Sequence, residues 1–568
     1  MDVRLLAVTL AAAACLLIPA SAAAAQGEAL PGSTLATPAE PEYLPPTPED
    51  FQVSAAEAVE IANGDPKVAE QTARYGALTT AIQVNDDGVW QVGYKDGDNE
   101  VVQVKVDGHS GAITESWTGY QVAWPMARGY EGQFGHLLNA PYVWIPLALM
   151  FFLGLFDFRR PGRIAHLDLL VLLSFGISHY FFNRGTIGVS APLVYPPLVY
   201  LLVRMLWVGF RGGEGLRPSL PVRWLGIAAL VLIVFRLTIN IADSGVIDVG
   251  YAGTIGADRL THGEQIWGED EFPEDNRFGD TYGPVNYFAY VPFELALPWS
   301  GDWDELPASH GAAIAFDLAT LLGLFFVGVR LRPDRRRGRE LGVLLAFAWV
   351  AYPYTDFALQ SNSNDSLVAA LLVWSLALFA RPLARGALLA LAVMTKFAPL
   401  ALAPLYAAGF RGLWATGPGR RGLRSRLAGL RPAAIFTLAF AAVAALMLAY
   451  PAIDAGLPTF FDRTVVSQID RTSPFSIWGQ VDGVQWLQTA LFAASGVLAA
   501  ALAFVPRRRT LPRVAALSAA VLIALQISAD HWFYLYIPWF FGALAIALLA
   551  VGEERAAHDP AASEILAA

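Results

Sequence analysis

The 568-residue sequence is poor in cysteine and in charge. Its one cysteine, Cys15, lies in the first apolar run of the chain. A chain that loses that run has no disulfide and no thiolate metal site. Only 15% of the residues are charged, against about 25% in soluble domains. The formal net charge is −10, which argues against nucleic acid as a partner. The 8 histidines are scattered without ligand spacing. Neither a phosphate-cradling P-loop nor a dinucleotide fingerprint occurs, so no cofactor and no metal is expected. What fills the sequence instead is apolar: 55% of residues are hydrophobic and the mean hydropathy is +0.44. That excess points to the bilayer as solvent.

Residues 1–26 join Arg4, the apolar run Leu5 to Ile18, and the small residues after Pro19. A basic start, an apolar stretch and a small-residue end form a secretory signal, expected to be cleaved near Ala25; the alternative is an uncleaved anchor helix. Residues 27–50, rich in Pro, Ala, Glu and Thr, read as a linker. Residues 51–124 read as a compact α+β module. Ser54 and Glu57 have capping-box spacing at the head of a helix, and Asp65-Pro66 opens a second. Turn signals at Asp86-Asp-Gly88 and Asp96-Gly-Asp98 separate alternating strand-like runs. The helix Ala58 to Ala62, the strand Trp90 to Val92 and the stretch Val104 to Ile113 come in the order of a PepSY domain, which this region resembles. The resemblance implies a regulatory or inhibitory module.

A spanning helix needs about 20 mostly apolar residues. Eleven stretches qualify: 141–157, 166–183, 192–209, 224–243, 311–330, 341–355, 366–380, 432–450, 487–505, 513–529 and 532–551. The arginine clusters at 159–163, 211–223, 335–339, 381–385, 411–431 and 507–509 all fall on one side of this arrangement, while the acidic stretches 243–305 and 454–482 fall on the other. The positive-inside rule makes the arginine side cytoplasmic. The chain is therefore expected to be a multi-pass protein of the plasma (inner) membrane, with its N-terminal domain outside and its 552–568 tail in the cytoplasm. Two further apolar stretches must then not cross. Residues 281–299, aromatic and broken by Pro284, Pro292 and Pro298, are expected to lie on the outer surface. Residues 386–410, with Thr395-Lys-Phe-Ala-Pro399 at their middle, are expected to form a re-entrant pair of half-helices carrying Lys396 near its tip.

The longest outer connection, 244–310, is rich in aromatics and carboxylates, as functional loops often are. Lys396 is an intramembrane cation, and such residues are functional hypotheses by default. Arg236 and Asp317 sit at similar depth and are expected to form a structural ion pair. Asn362-Ser-Asn-Asp365 reads as a short polar outer turn with capping chemistry. Asp302-Trp-Asp304 has the spacing of a metal-binding DxD, but three residues carry little weight.

Asp248 followed by Tyr251, Gly263 followed by Trp267, and Tyr282-Gly-Pro284 stand in the order found in GT-C glycosyltransferases. Downstream come Gly386-Ala-Leu-Leu-Ala-Leu-Ala392, Lys396-Phe-Ala-Pro399 and Arg471-Thr-Ser-Pro-Phe-Ser-Ile-Trp478. Residues 224–551 thereby resemble the polyprenyl-phosphate-dependent, mannosyltransferase-like glycosyltransferase family eighty-seven, with 141–209 as accessory helices. The chain departs from the pattern in having Tyr-Gly-Pro rather than Tyr-Pro-Pro. The resemblance implies an all-α membrane bundle that moves a hexose from a polyprenyl phosphate donor to a glycan or glycolipid acceptor, with inversion. It implies a carboxylate base, here Asp248, with Asp258 and Asp280 as substitutes. Lys396 is the expected partner of the donor phosphate, with Arg471 and Arg463 behind it. Tyr251, Tyr282, Trp478 and His531 are the expected substrate contacts. Two other readings remain: a flippase for a lipid-linked precursor, and a membrane sensor driven by the small domain.

Overall fold

The computed structural model describes residues 38–85, 88–97, 99–129, 135–413, 423–467 and 473–550. The signal at 1–26, Arg471 and the 552–568 tail lie outside the described residues. The chain divides into two compact units, one of Leu16–Tyr130 with Tyr180–Ser190, the other the remainder of the chain.

In the smaller unit the expected capping box is present. The Ser54 backbone N–H donates to Glu57 Oε2 at 2.8 Å and the Glu57 N–H donates to Ser54 Oγ at 3.3 Å. This satisfies two of the donors that open the helix Ala55–Asn63. Asp65 caps the next helix, Pro66–Tyr75. Four strands follow: β1 (Thr79–Asn85), β2 (Val89–Asp96), β3 (Asn99–Asp107) and β4 (Ile113–Thr118), paired antiparallel in sequence order. Trp90, Val92, Tyr94, Val102, Val104 and Val106 are fully buried with Ala58, Ala62 and Val68 of the helices. Sheet face and helix stripe thus bury each other, and this decides the register.

The larger unit is helical. Among the described residues six helices are long and apolar enough to cross a membrane: Ile164–Phe182, Ile187–Arg211, Val222–Asp243, Pro307–Leu331, Leu430–Asp454 and Leu511–Ser528. The pair Arg335–Ala351 and Pro353–Gln360, bent by 61°, is a seventh if it counts as one span. The sequence reading counted eleven. At three other expected positions the helices Pro141–Leu155, Asp365–Ala377 and Ile537–Leu549 are shorter than the roughly 17 residues a straight crossing needs. Proline sets several of these boundaries. Pro141, Pro284, Pro307, Pro353 and Pro382 each occupy the first helical position, where the missing N–H costs nothing. Pro307–Leu331 packs closely on Arg335–Ala351 because Gly328 meets Gly342; a Cβ on Gly328 would lie 2.2 Å from the Gly342 nitrogen. Small residues permit such backbone approach where the surroundings offer no hydrophobic drive.

The 244–310 connection is folded. It holds the helix Asp248–His262 and the helix Pro284–Glu294, the latter too short to cross. The 386–410 region is broken, as expected. Helix Pro382–Val393 stops, Met394–Phe397 is irregular, and a 3₁₀ turn leads into Ala403–Ala408.

Candidate active site

Lys396 stands at that break. Its Nζ lies 2.7 Å from Asp365 Oδ1. The same oxygen accepts the Trp539 indole N–H at 2.9 Å. The ammonium also sits 5.7 Å from the ring centre of Tyr282, 5.6 Å from that of Tyr536 and 5.3 Å from that of Trp539. Three ring faces and one carboxylate thus hold a cation whose side chain is only 12% exposed. Each desolvated ring contact contributes about 0.5–2 kcal/mol.

The break also explains how Tyr282 reaches Lys396. The Gly283 N–H donates to the Thr395 carbonyl at 3.3 Å and the Val285 N–H to the Met394 carbonyl at 3.0 Å. A Cβ at residue 283 would lie 2.1 Å from the Met394 oxygen. The departure from Tyr-Pro-Pro therefore has a physical reason: the backbone at 394–395 passes too close for any side chain. Freed carbonyls of the broken helix are satisfied by the loop that carries Tyr282.

Asp365 belongs to a segment that the sequence reading placed in a polar outer turn. The backbone turns there, as expected, and residues 361 to 366 are all buried. Asn362 joins helix Val222–Asp243 to the start of the long connection: it accepts from Asn240 Nδ2 at 2.9 Å and donates to Ser244 Oγ and the Gly245 carbonyl, both at 2.9 Å. Asn364 donates to Asn286 Oδ1 at 2.7 Å. A run of short polar side chains reads as a turn by propensity, and here Asn362, Asn364 and Asp365 also make tertiary contacts.

The expected carboxylates fall in three settings. Asp248 is exposed at the first position of its helix, and its Oδ1 accepts from the Val249 N–H at 2.9 Å. The Asp248 carbonyl accepts from Asn276 Nδ2, and the preceding Ile247 N–H donates to the Ser361 carbonyl at 3.2 Å. The buried 361–365 segment thus supports both the start of the Asp248 helix and, through Asp365, Lys396. Asp258 faces His262 one turn on, at 3.2 Å, and the Asp258 carbonyl and carboxylate raise the imidazole above its ordinary value. Asp280 is fully buried and paired with Arg463, Nε to Oδ2 at 2.5 Å and Nη2 to Oδ1 at 3.0 Å. Burial pushes the Asp280 carboxyl up against the pull of Arg463, while the hydrogen bond to Asp280 raises the guanidinium further. Asp280 is two residues from Tyr282, so this pair borders the Lys396 cage along the chain.

Tyr251 is buried, with its ring against Trp299 and Trp303 at 5.9 and 4.7 Å. His531 Nδ1 is 2.9 Å from Ser473 Oγ, and its ring lies 6.4 Å from that of Tyr536, which places it behind the cage. Trp478 is buried, its indole N–H donated to the Ile527 carbonyl and its ring edge-on to Tyr195. Deeper in the bundle, Arg236 contacts Asp317 at 3.0 Å, as expected, and also Asp356 at 3.4 Å. Asp304, part of the DxD, accepts from the Leu306 N–H. Among the described residues no group of three or more His, Cys, Asp or Glu could hold a metal ion. Asp365, Tyr536 and Trp539 were missed in the sequence. The available signal was Asp365 itself, a carboxylate heading an apolar helix beside an intramembrane lysine.

Comparison with known families gives two matches. Residues 281–529 match the model of Glycosyltransferase family 87, and residues 52–117 match that of the Peptidase propeptide and YPEB domain, PepSY. Two regions of the chain are thus similar to a PepSY domain and to glycosyltransferase family 87, in the order the motifs implied. No curated protein matches the chain. Lys396, Asp365 and Tyr282 fall inside the family 87 match, whereas Asp248, Tyr251, Asp258 and Asp280 precede it.

Proposed function

We propose, from the premise that this is a multi-pass membrane glycosyltransferase of the family 87 type, that it transfers a hexose from a polyprenyl phosphate to an acceptor hydroxyl with inversion. The acceptor is a glycan or glycolipid on the extracytoplasmic side of the plasma membrane. Lys396 receives the leaving phosphate, with Arg463 and Arg471 as further cations. Asp248 takes the acceptor proton as the oxygen attacks the anomeric carbon, and the bond from that carbon to the phosphate oxygen breaks. Tyr251, Tyr282, Trp478 and His531 are assigned to the substrates, Tyr282 most directly because its ring contacts Lys396.

The observation that carries this reading is the Lys396 cage. A lysine at a helix break, flanked by ring faces and held by a buried aspartate, is a cation oriented in an apolar setting. A leaving phosphate needs such a group, because fixed charges aimed at developing negative charge act without reorganising. Asp248 is preferred as base because it is exposed, whereas Asp280 is tied to Arg463 and Asp258 faces His262. The test is transfer from radiolabelled polyprenyl-phosphate hexoses in membranes. Asp248→Asn is expected to lower the rate about 10²–10⁴-fold, the usual worth of a general base, with unchanged expression. Wild-type rates in that variant would remove Asp248 from the role.

A further inference from the structure

A cleft of about 490 Å³ opens between the helix Asp248–His262 and the loops at 273–275 and 301–303. We propose that this cleft seats the acceptor and takes an uncharged saccharide. The proposal rests on the transferase reading above, and it extends that reading to the acceptor's chemistry.

The cleft lies within the size range of small-molecule sites, about 300–1,000 Å³. Tyr251 and Trp303 supply its aromatic wall. Trp303 is 39% exposed, and its indole N–H donates to the Val246 carbonyl at 3.2 Å, which fixes the ring while leaving surface open. A fixed, exposed indole is an apolar platform for the C–H face of a sugar ring. Tyr251, which lines the cleft, is only 1% exposed, yet no described residue hydrogen-bonds its hydroxyl. Burial first, then the charges of Asp275, Asp302 and Asp304, push that phenol up to about 12, so it remains a donor at neutral pH. A hydroxyl with no protein partner, on an otherwise buried side chain that lines an open cleft, is a place for a ligand oxygen.

The rest of the polar lining is Glu274, Asp275 and Asp302. Ionised carboxylates accept hydrogen bonds and donate none. They suit a ligand rich in hydroxyl donors. They oppose an anionic one, because three like charges around one cleft repel it. A cation is the other ligand carboxylates invite. No three acidic, histidine or cysteine groups among the described residues are placed to hold one, so these carboxylates surround a volume rather than a point.

The cleft adjoins the proposed base. Asp248 and Tyr251 are three residues apart on one helix and so share a face. Asn276, next to the lining residue Asp275, holds the Asp248 carbonyl at 2.9 Å. A sugar resting on Trp303 thus lies beside the helix turn that carries the proposed base.

The test is saturation-transfer NMR on the full-length protein in lipid nanodiscs, without donor. Probes are the neutral disaccharides mannobiose, cellobiose and galactobiose, and a uronic-acid disaccharide. At least one neutral probe is expected to bind wild type and Asp248→Asn alike. Trp303→Ala should weaken that binding at least tenfold and Trp303→Phe should largely keep it; the residue is exposed, so folding is preserved. Added EDTA should change nothing. No binding by any neutral probe, equal binding by the uronic acid, indifference to Trp303→Ala, or a requirement for divalent cation would each overturn the proposal. A fully active Asp248→Asn would instead remove the base and leave the cleft's result standing.

Discussion

Lys396 and Asp365 carry opposite charges in a place that solvates neither well. Burying either alone costs several kcal/mol, and the pair persists because each is the other's partner and Trp539 completes the carboxylate. Removing one partner and removing both are therefore different experiments. Lys396→Met leaves Asp365 buried and unpaired, which costs about 3–5 kcal/mol. Lys396→Met with Asp365→Leu removes both charges, so thermal stability should return close to wild type. Transfer activity should remain lost in the double variant, because the leaving phosphate then has no cation. Activity recovering together with stability would make the lysine structural. Asp280 and Arg463 show the same pairing one step outward, at a rim where Arg463 is 22% exposed and exchange for a phosphate costs less desolvation.

Two segments far apart in sequence meet as strands might, without a sheet. The 394–395 break leaves backbone carbonyls that no helix satisfies, and the Gly283 and Val285 N–H groups satisfy them. This contact holds Tyr282 over Lys396 and depends on residue 283 having no side chain. Gly283→Ala forces a methyl to 2.1 Å from the Met394 oxygen, and backbone on both sides cannot yield cheaply. The expected result is at least a tenfold fall in transfer with the helical content retained, read by circular dichroism alongside the membrane assay. Wild-type activity in Gly283→Ala would mean that the Tyr282 contact is dispensable. The bent pair Arg335–Ala351 and Pro353–Gln360 turns where Pro353 starts the second helix. It carries Asp356 to Arg236, so a proline at a boundary delivers a buried charge to its partner.

For the whole molecule, the distribution of charge makes the strongest statement. Arginine clusters and acidic loops occupy different connections, and the positive-inside rule gives each an expected side. The natural sequence has a single cysteine, Cys15, so replacing it with serine gives a background for introduced cysteines. Cysteine at Arg336 should react with an impermeant maleimide only after the cells are opened. Cysteine at Asp302 or Glu100 should react in intact spheroplasts. The opposite pattern would invert the arrangement and place the Lys396 cage on the cytoplasmic side.

Much of this was legible one stretch at a time. The capping box at Ser54, the four-stranded module, the break around Lys396 and the Arg236–Asp317 pair all follow from local spacing or from the cost of a charge in an apolar run. Hydropathy marks apolar stretches but not whether a helix of 13 residues such as Asp365–Ala377 crosses or ends inside the protein. Asp365 was misread for a related reason. Asn-Ser-Asn-Asp has turn propensity wherever it occurs, and only its neighbours Asn240, Asn286, Lys396 and Trp539, drawn from four distant segments, make it a buried knot.

The sequence by itself determined the membrane class, the small domain in front and the cation at the broken helix, since each rests on composition or on short-range pattern. Tertiary structure alone decided which carboxylate faces that cation, why residue 283 is glycine and where an open cleft lies. Those facts depend on groups brought together from far along the chain, and no periodicity records such a meeting.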